Sequence, residues 1–368
     1  MSSFGGVYEG KRVLITGHTG FKGAWLSCWL NQLGARVCGF SDGIPTTPSL
    51  FEASGLASSI EHIVGDIRDT AHFEGVLTSF RPDFVFHLAA QAIVSTSYVD
   101  PLETISVNVL GTASVLQAMR QITWPCTVIV VTSDKCYENV EQPWGYREID
   151  PLGGKDVYSS SKGAAEIITS SFQRSFFTNG HVRIATARAG NVIGGGDWAA
   201  NRIVADCIRA WQAGSVVELR RPSSTRPWQH VLEPLSGYLR LAELLSAAAS
   251  LNGEAFNFGP RAEQNRTVLE LLKDLAGIWE PNQSGDLYRA LPEPPFHEAG
   301  LLKLNCDKAL LQLDWSPALS YKEAVQFTGS WYQRVVRDGA SAATVTDEQI
   351  KQYEEFARTG GQPWACTT

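Results

Sequence analysis

Residues 12–23 read RVLITGHTGFKG, and the reading of this stretch decides how the rest of the chain is organised. Val13, Leu14 and Ile15 are consecutive apolar residues, the pattern of a short strand buried on both faces. Gly17, Gly20 and Gly23 follow, and beyond them Trp25, Leu26, Trp29, Leu30 and Leu33 recur at helical spacing. In a strand, turn and helix of this order, the glycines let the backbone bend sharply and approach an anion, and the free N–H groups of the helix start bind it. A glycine trio alone is a weak signal. Set between a strand and a helix, it predicts a dinucleotide site that includes Thr19, Phe21 and Lys22 of the same turn.

The unit repeats. Apolar runs at 35–40, 62–67, 83–90, 127–133 and 183–190 alternate with helical patterns such as Val107, Leu110, Val115, Leu116 and Met119. Repeated strand and helix units predict an α/β fold, a doubly wound parallel sheet between two helical layers. After Gly190 the rhythm changes to GGGDW, RRPSSTRPW and LPEPPF, dense in Gly, Pro, Arg and Trp, before 233–250 and 254–260 resume the earlier pattern. The expected organisation is therefore a dinucleotide-binding domain of 1–190 with 231–258, interleaved with a smaller, mainly α substrate domain of 191–230 with 259–368. The tail, GGQPWACTT, is expected to be mobile.

Composition bounds the function. The 368 residues are 44% hydrophobic and 19% charged, ordinary for a globular protein with a large core, and a net charge of -7 without a basic block argues against a nucleic-acid partner. Seven scattered cysteines, with neither a C-x-x-C pair nor zinc-like His spacing, read as reduced thiols of a cytoplasmic protein without a metal site. No apolar run approaches the ~18 residues of a membrane span, and MSSFGGVYEG lacks the basic region followed by an apolar stretch that is expected of a leader.

Cofactor choice hangs on the end of the second strand, where an acidic side chain takes the ribose 2′-OH of NAD. The chain reads GFSDG, so Ser41 or Asp42 occupies that place, and Arg36 lies too early to clamp a 2′-phosphate; NAD is favoured over NADP. Asp66, in GDIRD, reads either as an adenine contact or as a helix N-cap.

Two further stretches carry chemistry. In YSSSKGAAE, Tyr158 and Lys162 stand at i and i+4 on one helical face, where an ammonium favours the phenolate and draws the tyrosine down from about 10 toward a working general base. In VIVVTSDKCY, at 128–137, an apolar run ends abruptly at Asp134 and Lys135. Such a pair is either an exposed ion pair or a pair placed over a ligand, and strand carboxyl ends are where ligands bind in this architecture.

With GHTGFKG, HLAAQ, NVLGT, TSDK, YSSSK and RAGNVIGGGDW together, the chain resembles the extended short-chain dehydrogenase/reductases, over most of its length. FHLAAQ, TSDKCY and RPWQHVLEPLSGY bring it nearest to the members that dehydrate CDP-glucose. The resemblance implies catalysis by Ser133, Tyr158 and Lys162, with Asp134 as the acid at C6. Lys135 stands where related dehydratases carry a Glu base, and is either a desolvated C5 base or a helper to the enolate. It further implies NAD contacts from Asp66, Ile67, Leu88, Ala89, Ala90 and Asn108. Substrate contacts are expected from Gln91, Asn191, Asp197, Trp198, Arg202, Arg226 and His230, with Arg202 and Arg226 on the diphosphate.

Three residues have bland readings as well. Trp198 and Trp228 also read as packing between domains, and His87 reads as a satisfied core histidine. The resemblance implies homodimers through helices around 106–122 and 158–176, with tetramers left open. Alternatives are a dehydratase for another nucleotide sugar, a 4-epimerase, which needs no acid at C6, and a silent NAD(P) sensor on the same fold.

Overall fold

Alternation within the apolar runs shows why they are apolar throughout. In a computed structural model, which describes residues 3–178, 180–281, 286–292 and 300–366, Val13 and Ile15 face one core and Leu14 the other. The strand β1 (Arg12–Thr16) thus needs hydrophobic side chains on both faces, and the same holds for β4 (Phe84–His87) and β5 (Cys126–Val131). With β2 (Arg36–Ser41), β3 (Glu61–Val64), β6 (Val182–Ala189) and the strand Ala255–Phe258, they form a seven-stranded sheet. Its spatial order is Ala255–Phe258, β6, β5, β4, β1, β2, β3, and every neighbouring pair is parallel.

Helices cover both faces, so the sheet is doubly wound. On one side, Trp25, Leu26, Trp29 and Leu30 of the helix α1 (Phe21–Gln32) share a core with Leu235, Tyr238, Leu239 and Ala242 of the helix Leu232–Ala247. On the other, Phe73, Val76 and Leu77 pack with Val115, Leu116 and Met119, and Ile168 and Phe172 of the helix Val157–Phe176 lean on them. The chain leaves the sheet after β6 and comes back to it with Leu232–Ala247, against β5 and β6, and with Ala255–Phe258. Between and after these returns, short two-stranded ladders and the helices Ile203–Gln212, Val268–Trp279 and Tyr321–Tyr332 form the second lobe.

Two expectations are corrected. The run 83–90 is too long for a strand: after His87, Leu88 N donates to the Thr16 carbonyl at 3.0 Å and Ala89 N to Thr16 Oγ1 at 3.2 Å, so the chain bends over the glycine turn. The tail is not mobile as far as Cys366. Trp364 is buried, stacked on Phe4 at 4.8 Å between centroids and packed by Trp29 and Tyr353, so the two ends of the chain close one aromatic cluster. Residues 367–368 of that tail, and 293–299 in and beyond LPEPPF, lie outside the described residues. No helix among the described residues is long and apolar enough to cross a membrane.

Candidate active site

Glycine is required at the first turn for steric reasons. Gly17 has φ +76°, and a Cβ there would lie 2.7 Å from Ala89 N; a Cβ at Gly23 would lie 2.2 Å from the Gly17 carbonyl oxygen. Gly20 caps α1 without any side-chain hydrogen bond, so the helix start keeps its N–H groups for an anion. These are the features a dinucleotide pyrophosphate needs. Thr19 is already engaged, donating to the Gly43 carbonyl at 2.6 Å, and Phe21 packs near Gly194. Lys22 reaches inward to 3.4 Å from Tyr238 Oη, and burial draws its ammonium down to about 8.

Around this turn, the acidic candidates separate. Ser41 is buried and bonded to His18 Nδ1 at 2.9 Å, whereas Asp42 is exposed just beyond β2. Asp66 is not an N-cap: Asp69 caps the helix Thr70–Phe80, and Asp66 pairs with Arg68 at 2.6 Å, which holds its carboxyl below the usual range. Ile67 is buried, against the place where a Cβ on Gly111 would sit. Asn108 is a buried node, donating to Ser161 Oγ at 2.8 Å and the Gln91 carbonyl at 3.1 Å while accepting from Gln91 N at 2.8 Å. Gln91 and Asn108 thus lock the loop after β4 to the helix Val157–Phe176. Leu88, Ala89 and Ala90 are half-buried over the glycine turn.

The sheet's carboxyl edge brings the charged residues together. Ser133 leaves β5 and caps the single turn Asp134–Cys136, its Oγ donating to Asp134 Oδ1 at 2.9 Å. Asp134 is buried, and burial raises its carboxyl above the ordinary range against the pull of Lys135, Ser133 and Lys22. Gly190 at the end of β6 makes room for it, since a Cβ there would lie 2.9 Å from Asp134 Oδ2. Lys135 is half-buried on the same turn.

Tyr158 and Lys162 project from the helix Val157–Phe176, whose start is capped by Asp156. Both are buried, and the Lys162 amine lies 5.9 Å from the centroid of the Tyr158 ring. Here the expected tuning is reversed. Burial pushes the Tyr158 phenol up to about 12, with Asp134 and Asp156 adding to it while Ser133 and Arg202 pull against it. Lys162 is itself drawn down to about 8, again by burial. At Tyr158, desolvation outweighs the charges and hydrogen bonds around the phenol.

From the second lobe, Arg202 begins the helix Ile203–Gln212 and acts electrostatically on Tyr158, Lys22 and Asp197. Asp197 is buried, its carboxylate accepting Ala199 N at 3.2 Å. Trp198 packs edge-on against Tyr332, and Trp228 is buried with its indole N–H on the Arg266 carbonyl, so both tryptophans pack. Arg226 is buried and donates to the Thr225 and Gly300 carbonyls at 2.9 and 3.3 Å. Asn191 follows β6, its carbonyl holding Gln229 N.

His230 does not belong with these residues. It is fully buried between Trp25 and Phe327, which keeps its imidazole neutral. His87 is a satisfied core histidine, bonded to Thr16 at 2.7 Å and Thr112 at 3.1 Å. Two buried networks had no signal in the sequence. His18 joins Ser41 to His62, at 2.7 Å from the latter, and Glu166 pairs with Arg188.

Known proteins share this fold. The structure resembles an epimerase from Methanothermobacter thermautotrophicus, at TM-score 0.78 and 23% identity over 92% of this chain and 97% of that one. It also resembles a dTDP-glucose 4,6-dehydratase from Bacillus anthracis solved with NAD, at TM-score 0.74 and 18% identity over 88% and 97%. Those likenesses show the fold. In sequence, the chain is 44% identical to the CDP-glucose 4,6-dehydratase of Salmonella typhimurium over 94% of this chain and 97% of that protein. It is 27% identical to the CDP-paratose 2-epimerase of Salmonella typhi over 87% and 98%. The family model described as GDP-mannose 4,6 dehydratase matches residues 14–328, from the first strand through the second lobe. A glycine turn under an uncapped helix, a buried Tyr158–Lys162 pair and a match of that extent lead to one conclusion: the chain belongs to the GDP-mannose 4,6 dehydratase family of extended short-chain dehydrogenase/reductases.

Proposed function

We propose that this protein is a hydro-lyase converting CDP-glucose to CDP-4-keto-6-deoxyglucose, with NAD as a recycled cofactor. The observation that carries the reading is the placement of Asp134. This buried acid hydrogen-bonds Ser133 and acts electrostatically on Tyr158, so groups for C4 oxidation and for C6 elimination share one strand end. A 4-epimerase needs no such acid, and the near-full-length relative that acts on CDP-glucose supports the choice of substrate.

NAD, when bound, accepts a hydride from the sugar and later returns it. Asp42, exposed at the end of β2, suits a ribose 2′-OH and repels a 2′-phosphate, which favours NAD over NADP. Tyr158 takes the proton of the C4 hydroxyl, Ser133 hydrogen-bonds the same oxygen, and Lys162 as ammonium holds ribose hydroxyls. A C4 ketone acidifies C5–H. Asp134, whose raised affinity for protons suits an acid, then protonates the departing C6 hydroxyl. Lys135, next on the turn, serves the C5 side as base or as a charge on the enolate. On the second lobe, 191–230 with 259–368, Arg202 and Arg226 are assigned to the diphosphate and Asn191 and Asp197 to orientation, joined by Gln91 from the loop after β4.

Two copies assemble, in this reading, through an apolar face left exposed by Val99, Leu102, Ile105, Leu110, Ile167 and Phe176. Seven free thiols, five of them buried, suit a cytoplasmic setting.

The experiment uses CDP-glucose deuterated at C4 with NAD, and unlabelled substrate in D2O. The expected result is deuterium moved from C4 to C6 in the first case and solvent deuterium at C5 in the second. Label returned to C4 with C5 untouched would make the protein an epimerase.

A further inference from the structure

The helix that carries Tyr158 and Lys162 carries a third polar residue on the same face. Glu166 lies four residues beyond Lys162 and eight beyond Tyr158, and it is buried. Its carboxylate is saturated by the protein. Oε1 accepts from Thr132 Oγ1, and Oε2 accepts from Thr186 Oγ1 at 2.8 Å and pairs with Arg188 Nη2 at 2.8 Å. Arg188, near the end of β6, is equally buried and donates through Nη1 to Tyr137 Oη at 2.8 Å, with its guanidinium 5.0 Å from the centroid of that ring. Tyr137 in turn donates to Asn257 Oδ1 at 2.8 Å.

The chain positions of these partners give the network its meaning. Thr132 immediately precedes Ser133, and Tyr137 immediately follows Cys136. One end of the turn holding Ser133, Asp134 and Lys135 is therefore fastened directly to the Glu166 carboxylate and the other through Arg188, and that carboxylate rides on the helix of Tyr158 and Lys162. A buried ion pair adds little net stability over well-packed apolar residues of similar volume, so stability alone does not account for it.

We propose that Glu166, with Arg188, is a positioning residue that sets the catalytic turn against the helix and supplies an anion that keeps Lys162 charged. The inference rests on the reaction proposed above. The groups acting on or facing Lys162 are Cys136 from the turn, His87 from β4, Lys22 from the glycine turn, and Tyr158 and Glu166 from its own helix. Burial holds the Cys136 thiol well above its usual range and draws His87 down to about 3, so both are neutral at working pH. Lys22 repels a second ammonium. Of this set, Glu166 is the anion.

The test compares Glu166→Gln, Glu166→Asp and the double variant E166Q/R188M with the native chain by two readouts. One is the pH profile of kcat/KM with CDP-glucose and NAD. The other is the titration of the Lys162 13Cε resonance in lysine-labelled protein, assigned by its loss in Lys162→Arg. Glu166→Gln keeps the shape and removes the charge, so the alkaline limb, set by Lys162 at about 8, and the resonance midpoint both move down. The expected shift is about one unit. Glu166→Asp keeps the charge but shortens the reach, so the limb stays in place while kcat falls about tenfold. The double variant leaves no unpaired charge and so keeps the test where Glu166→Gln fails to fold; because the Arg188 cation goes with the Glu166 anion, its alkaline shift has the same direction and is smaller. A pH profile that superimposes on the native one after scaling, with an unmoved Lys162 titration, overturns the proposal and leaves the pair structural. A native chain that does not turn over CDP-glucose overturns the reaction instead, and the Lys162 titration still decides the role of Glu166.

Discussion

Tyr158 with Lys162 and Asp134 with Lys135 are two acid–base pairs a few residues from being mirror images, yet the protein treats them differently. In the first pair both groups are buried, and burial displaces both, Tyr158 up to about 12 and Lys162 down to about 8. In the second, Asp134 is buried with a raised carboxyl pKa, while Lys135 beside it is only half-buried. The difference teaches that the strand end does not desolvate its charges uniformly. It withdraws Asp134 from water and leaves Lys135 within reach of solvent.

Breaking the first pair has the largest expected effect. Tyr158→Phe removes the hydroxyl proposed to take the C4 proton and should lower kcat by about 10³-fold or more with the fold and NAD affinity retained. Near-native turnover in that variant would remove Tyr158 from the chemistry. The second pair is sharpened by Asp134→Asn, which keeps the Ser133 hydrogen bond and loses the acid. Net dehydration should fall about 10²-fold while deuterium at C4 of the substrate is still transferred, because oxidation precedes elimination. Lys135→Met then asks whether solvent exchange at C5 survives; persistent rapid exchange leaves the proton to another group.

A weaker effect is expected on the other side of the substrate. Arg226→Ala should raise KM for CDP-glucose about tenfold and leave NAD binding near native, as loss of a charge-assisted contact to a diphosphate predicts. Equal weakening of both ligands would mean that the residue holds the lobe together through Thr225 and Gly300 instead.

How far each part could be read in the sequence follows from how local its cause is. β1, the glycine turn and α1 were legible because their signals lie within a dozen consecutive residues, and Tyr158 and Lys162 because a helix puts i and i+4 on one face. The charged strand end was legible because apolar runs end where a parallel sheet meets its ligand edge. What escaped depends on residues far apart. His18 meets His62 across 44 positions and Glu166 meets Arg188 across 22, and no period connects them. His230, with a polar side chain in a basic and aromatic loop, looked ligand-facing; only Trp25 and Phe327, from distant helices, bury it. Tyr158 tuning went wrong for a related reason, since spacing reports an ammonium nearby but not the burial that outweighs it.

Glu233 supplies the control for the whole comparison, because it too is a buried acid with a raised pKa, yet it sits in the core away from the strand end. Burial pushes it to about 7, against hydrogen bonds from Ala318 N, Leu319 N and Tyr353 Oη. Its folded pKa exceeds the unfolded value of about 4.3, so the folded state binds more protons between the two. Stability from this group is therefore full below about pH 4 and is lost as pH rises through about 7, by at most about 4 kcal/mol. Glu233→Gln should flatten that decline, seen as a melting temperature that falls less between pH 5 and pH 8 than in the native chain, while kcat changes less than about twofold. A variant that loses activity at full stability would place Glu233 among the groups that touch the reaction. An unchanged pH slope would show that its hydrogen bonds already hold it ionised, as they would if the three donors together outweigh the cost of burial.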